Sequence, residues 1–195
     1  MQYHRFPIQR FRPQETTNQE ILSQNLICEL LLHLSRNENH SLWFRMIYSL
    51  GLFIKELIEL KVGDINWENY EIRIRGEGTS RDLMIPEYLR RDLWFRCQKR
   101  KPEDPLFEGR SGKLHPRTVQ KMFVKLQERS GIRVNNLLLR KSSIVHMMEV
   151  GWDQSSILAQ VGFTTKRALR KYGKCTQSQN PRKQYPLEEF LRKAA

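Results

Sequence analysis

Cysteine is scarce in this chain: Cys28, Cys97 and Cys175 stand as isolated singletons along 195 residues. An odd number without paired spacing excludes a disulfide framework and a zinc knuckle, and fits a reducing compartment. The five histidines, His4, His33, His40, His115 and His146, form no pair at a metal-ligand spacing, so no metal is expected. No cofactor is expected either. Gly76-Glu77-Gly78 is a GxG with no helix after it, which is turn chemistry rather than a phosphate cradle. Long hydrophobic runs are also missing. The longest uncharged apolar run, Met46 to Ile54, is far short of the roughly 20 residues a membrane span needs. Arg5, Arg10 and Arg12 are not followed by an apolar signal core, so the reading is a cytoplasmic protein with no membrane partner.

What the chain does have is positive charge, unevenly placed. The formal net charge is +13. Residues 1–75 hold nine Lys/Arg and nine Asp/Glu, so residues 76–195, with 25 basic and 12 acidic residues, carry the whole excess. A one-signed field over part of a fold attracts a polyanion, and nucleic acid is the expected partner. With 39% hydrophobic and 28% charged residues, the length suits one well-filled core.

Read in order, residues 1–16 alternate basic and aromatic groups around Pro7 and Pro13 and form a terminal arm. Thr17 and Glu20 make a capping box, followed by Ile21, Leu22, Leu26, Ile27, Leu30, Leu31 and Leu34 at helical spacing. Asn37 to Ser41 reads as a loop, Leu42 to Gly51 as a central apolar helix, and Ile54 to Leu60 as a short one. Tyr70, Ile72 and Ile74 alternate with charged residues in a half-buried strand, which returns after the Gly76–Ser80 turn as Arg81 to Ile85. The helix after Pro86 points Leu89, Leu93, Trp94 and Cys97 inward, with Arg90, Arg91, Arg96, Lys99, Arg100 and Lys101 outward. Pro116 opens another helix that Gly131 ends. Arg140 to Val150 forms the next, and Asp153 caps a short one before Gly162. Between Thr164 and Lys174 there are five positive side chains, no negative one, and Tyr172. That tyrosine is either a nucleophile aimed at a phosphate or an aromatic packing a basic helix on the core. Residues 175–195 are a polar linker and a small helix with Leu187, Phe190 and Leu191 on one face. That face docks on its own chain or, making a homo-oligomer, on a second copy.

This order of elements resembles the catalytic domain of the tyrosine recombinases, the phage integrase family, over roughly residues 17–174. Gly51-Leu52-Phe53-Ile54-Lys55-Glu56-Leu57-Ile58-Glu59-Leu60 is similar to the family's G-L-R-x-x-E-L-x-x-L. Gly76-Glu77-Gly78, Arg81 and Pro86 follow its G-K-G-x-K-x-R-x-V-P hairpin with about one residue extra. Leu137-Leu138-Leu139-Arg140 falls where the family has H-x-L-R. Gly151-Trp152-Asp153 and Val161-Gly162-Phe163 resemble G-x-D and L-G-H, with Tyr172 nine residues beyond Phe163. The resemblance implies a mainly α fold with a small antiparallel hairpin (α+β). It leaves no room for the family's separate N-terminal DNA-clamping domain.

The resemblance also implies a chemistry. In the family a tyrosine attacks a DNA phosphate, two arginines hold its non-bridging oxygens, a lysine protonates the leaving oxygen, and two histidines assist. Here Tyr172 and the second arginine, Arg140, remain. The first arginine is Phe53, the histidines are Leu137 and Phe163, and the lysine is Arg81, which cannot readily give up a proton. Losing one preorganised donor costs about 10²–10³ in rate. Three apolar replacements therefore argue for a DNA-binding protein on a degenerate scaffold: a bacterial, nucleoid-associated regulator or accessory factor of a mobile element. The contacts expected are Arg73, Arg75 and Arg81; Lys121 and Lys125; Arg140 and Lys141; and Lys166, Arg167, Arg170 and Lys171. The rival readings are a divergent enzyme using Tyr172 with Arg140 and Arg81, and an interaction module that regulates a functional relative.

Overall fold

A computed structural model describes residues 21–76, 80–109, 112–172 and 185–188. The N-terminal arm, the Thr17/Glu20 box, Cys175, the linker, Phe190 and Leu191 lie outside the described residues. The chain is mostly helical with small antiparallel sheets.

Helix α1 (Gln24–Leu34) starts later than the Thr17/Glu20 reading placed it, because the Ser23 hydroxyl caps it by accepting from Leu26 N–H. Helix α2 (Glu38–Leu50) begins inside the expected Asn37–Ser41 loop for the same reason: the Asn37 side chain accepts from His40 N–H at 3.0 Å. This helix is the centre of the molecule. From Leu42 to Leu50 only Arg45 escapes burial, and α1 and the helices over Glu87–Cys97, Pro116–Ser130 and Asn136–Glu149 pack around it. Gly51 ends it at φ 62, and a Cβ there would also sit 2.9 Å from Val161 Cγ1.

Helix α3 (Ile54–Glu59) leads through a short 3₁₀ turn to β1 (Ile65–Asn66), which pairs antiparallel with β2 (Glu71–Arg75). β2 pairs in turn with β3 (Ser80–Met84), Ile74 opposite Arg81 and Arg73 opposite Asp82. Ile72, Ile74 and Leu83 enter the core, while Arg73 and Arg75 stay on the solvent side, as strand alternation requires. A second small sheet, β4 (Glu108–Gly109) with β5 (Gly112–Lys113), was not anticipated.

Helix α4 (Glu87–Cys97) buries Leu89 and Leu93 as expected, but Trp94 is 49% exposed. It leans edge-on against Trp67 at 5.1 Å instead of entering the core. Arg96, expected outward, folds back over the Phe107 ring at 5.1 Å. Helix α5 (Pro116–Ser130) has the predicted inner face of Val119, Met122, Phe123 and Leu126, and ends at Gly131. Helix α6 (Asn136–Glu149) starts four residues before the expected Arg140, capped by the Asn135 side chain on Leu138 N–H. That correction places Arg140 inside a helix rather than at its mouth. Helix α7 (Gln154–Val161) is capped by Asp153 and stopped by Gly162 at φ 70. The expected basic helix beyond it is a tighter 3₁₀ segment, Lys166–Tyr172.

Residues 185–188 pack on this chain itself. The Tyr185 hydroxyl donates to Met84 O at 2.6 Å, and the Glu188 carboxylate accepts from Glu87 N–H at 2.9 Å. Leu187 is 2% exposed, so the apolar face offered above to a second copy is here partly spent at home.

Candidate nucleic-acid interface

Three chain turns converge on Arg140. It lies one turn inside α6, beneath the place where α2 ends at Gly51 and α7 ends at Val161. Its Nη1 donates to Gly51 O, and its Nη2 donates to Val161 O at 2.6 Å. Only 3% of the residue is exposed. The guanidinium carbon lies 3.9 Å from the centre of the Phe53 ring and 5.2 Å from that of Phe163, two cation–π contacts. Phe163 in turn stacks on Tyr172, centroids 6.3 Å apart and planes at 22°. Burial pushes the Arg140 pKa down to about 10, against the opposing pull of Glu56, so the group remains a cation at neutral pH.

Arg81 stands on the other side of the α7 terminus. Its Nε donates to Gln160 O at 2.9 Å and its Nη1 donates to Glu56 Oε1 at 2.6 Å. The second Glu56 oxygen accepts from Phe53 N–H at 2.8 Å, which fixes the start of α3 and the orientation of the Phe53 backbone. Gly162 makes room for this arginine, since a Cβ there would lie 2.8 Å from Arg81 Nη1. Arg81, Arg140 and Tyr172, far apart in sequence, thus share one neighbourhood. Leu137, in the first turn of α6, is 67% exposed.

The remaining expected contacts divide into two groups. Arg73 is bound to Asp82 through Nε at 2.9 Å, and this bond holds the Asp82 carboxyl below the usual carboxylate range. Arg75 reaches the buried Asp64 at 2.5 Å. Both arginines therefore arrive already paired. Lys121, Lys125, Lys166, Arg167 and Arg170 are exposed, and Lys141 is half-buried beside Arg140. The Lys171 side chain lies outside the described residues. Glu56, Asp64, Asp82 and Gln160 were not singled out from the sequence. Of these, Asp82 was within reach, because the hairpin register puts it opposite Arg73. Among the described residues no group of His, Cys, Asp and Glu is arranged to hold a metal, and no helix is long and apolar enough to cross a membrane.

The tyrosine recombinase XerA of Thermococcus onnurineus (strain NA1) is 31% identical over 140 residues, 68% of this chain and 50% of that protein. XerA of Pyrococcus horikoshii is 30% identical over 155 residues, 75% of this chain and 54% of that protein. The chain spans about half the length of these curated relatives. Among solved structures, XerA recombinase superposes with a TM-score of 0.69 at 20% identity, covering 89% of this chain and 65% of the other. The XerH recombinase bound to difH substrate gives 0.68 at 20% identity, covering 78% and 49%. The Tn1549 transposon integrase in complex with circular intermediate DNA gives 0.67 at 16%, covering 83% and 64%. The phage integrase family profile matches residues 20–179, and the chain belongs to that family.

Proposed function

We propose that this chain binds double-stranded DNA without ordinary strand exchange, as a regulatory or accessory protein of a mobile element. The observation that carries this reading is the state of Arg140. Nη1 and Nη2 each spend a donor on a backbone carbonyl, Gly51 O and Val161 O, and its faces meet Phe53 and Phe163. An arginine that holds a phosphate needs its donor fork directed at that phosphate. Here Phe53 and Phe163 occupy the positions of the family's first arginine and second histidine. Affinity on this reading comes from the exposed cations of α5 and of the Lys166–Tyr172 segment, acting on the DNA backbone. Residues 17–174 would form the binding unit, and the protein would sit with the bacterial nucleoid.

The names of the curated relatives favour a second reading, a cleaving enzyme that uses Tyr172 with Arg140 and Arg81. A nicked suicide duplex separates the two, because it traps any 3′-phosphotyrosyl adduct on a denaturing gel. The expected result is gel-shift binding with no covalent band. A band that disappears in Tyr172→Phe would overturn the non-catalytic reading.

A further inference from the structure

A cleft of about 220 Å³ opens where the end of α1, the start of α2 and the flank of α5 meet. Its floor is apolar, from Leu34, Met122 and Leu126. Its rim is cationic or protonatable, from His33, His40, Lys125 and Arg129. Among the described residues no carboxylate lines it. Glu38 and Glu128 neighbour lining residues in sequence but stay outside. The cleft lies apart from the Arg140 cluster and shares no residue with it.

Like charges gathered in a concavity cost free energy unless something neutralises them. Among the described residues, neither the Lys125 nor the Arg129 side chain makes an ion pair or hydrogen bond. Both are close enough to act on the His40 imidazole, which burial first and then these two charges lower below its ordinary range. The α2 N-terminus, capped by Asn37, adds its positive end to the same space. Nothing in the packing of Leu34, Met122 and Leu126 requires this arrangement.

We infer that the cleft is a binding site for a phosphate monoester with a flat apolar body, such as a nucleotide. The chemistry follows from the lining. Two cations match a phosphate monoester, which carries about −1.5 to −2 charge at neutral pH, better than a carboxylate's single charge. Arg129 supplies a planar fork and Lys125 a point charge, a common division of labour at phosphates. The apolar floor gives a base or ring a place to leave water. The monoester is that of a free nucleotide, since an internal phosphate of DNA is a diester with a single charge. This inference does not rest on the DNA-binding reading.

The test uses the full chain, 2′-deoxyadenosine monophosphate and inorganic phosphate, followed by calorimetric titration at low salt. The nucleotide is expected to bind saturably and more tightly than inorganic phosphate. Lys125→Ala and Arg129→Ala should each weaken it on the order of tenfold, while Lys101→Ala, outside the cleft, leaves it unchanged. Simultaneous binding of nucleotide and duplex keeps the cleft as a monoester site, whereas displacement of the nucleotide by duplex assigns the cleft to the DNA backbone and overturns the inference. Absence of saturable nucleotide binding, or binding indifferent to both alanine variants, overturns the inference. In that event an unchanged duplex gel shift leaves the DNA-binding reading standing.

Discussion

The Arg140 guanidinium lies 3.9 Å from the centre of the Phe53 ring, which makes the arginine a fastener between α6 and the loops that end α2 and α7. Arg140→Ala should therefore behave first as a stability mutant. It leaves the Gly51 and Val161 carbonyls unpaired and empties the space between two rings. Each orphaned acceptor costs about 1–3 kcal/mol, so a loss of about 3 kcal/mol or more is expected in urea unfolding. Arg140→Lys keeps the charge but not the fork, and should fall between. An alanine variant as stable as the parent would refute the fastening role.

His146 should make the protein acid-sensitive. The residue is 2% exposed, and its Nδ1 shares a hydrogen bond of 2.6 Å with the Tyr48 hydroxyl. Burial drives its pKa down from 6.5 to about 4. Between those values the unfolded chain binds a proton that the native chain refuses, so stability falls as pH drops. The loss begins near pH 6.5, is complete below about pH 4, and reaches about 3 kcal/mol. His146→Gln should be less stable at pH 7 yet show a shallower decline over that window. A parallel decline in both proteins would assign the acid sensitivity elsewhere.

Much of this architecture was legible in the sequence, where local chemistry and tertiary packing agree. Pro116 and Gly131 bracket α5, Asp153 and Gly162 bracket α7, and the Ile72/Ile74 alternation marks the hairpin. The reading failed where a polar side chain decided the matter. Asn37 and Asn135 resemble loop residues until they are seen to cap α2 and α6. Charge misled in the same way. A run of arginines looks uniformly exposed, yet Arg140 is enclosed, Arg81 is paired to Glu56, and Arg96 covers Phe107. Such pairings join positions up to 89 residues apart, so no local window contains them.

Two glycines give a controlled measure of the Arg81 seat. Gly131 and Gly162 both sit at φ 70, but a Cβ at Gly131 meets nothing within 4 Å whereas one at Gly162 meets Arg81 Nη1 at 2.8 Å. Gly131→Ala should cost only the left-handed strain, about 1–2 kcal/mol. Gly162→Ala should cost more by at least about 1 kcal/mol, because it displaces Arg81 from Glu56, a carboxylate only 8% exposed. Equal losses in chemical denaturation would mean that Arg81 swings aside freely and does not hold the α7 terminus.

Salt dependence tests which cations face DNA. Lys166 and Arg170 are exposed on the segment that carries Tyr172, so the double alanine variant should weaken duplex binding regardless of sequence. The slope of log K against log salt should shrink by about 2, since each lost phosphate contact removes about 0.9. Arg73 behaves differently because Asp82 already holds it. Arg73→Ala should change affinity little, since it also leaves Asp82 unpaired and repelling phosphate. Asp82→Asn removes that competitor and frees the guanidinium, so binding should tighten and the slope steepen by up to about 1. If Asp82→Asn instead leaves affinity and slope unchanged, the hairpin does not touch the backbone, and the interface narrows to α5 and the Lys166–Tyr172 segment.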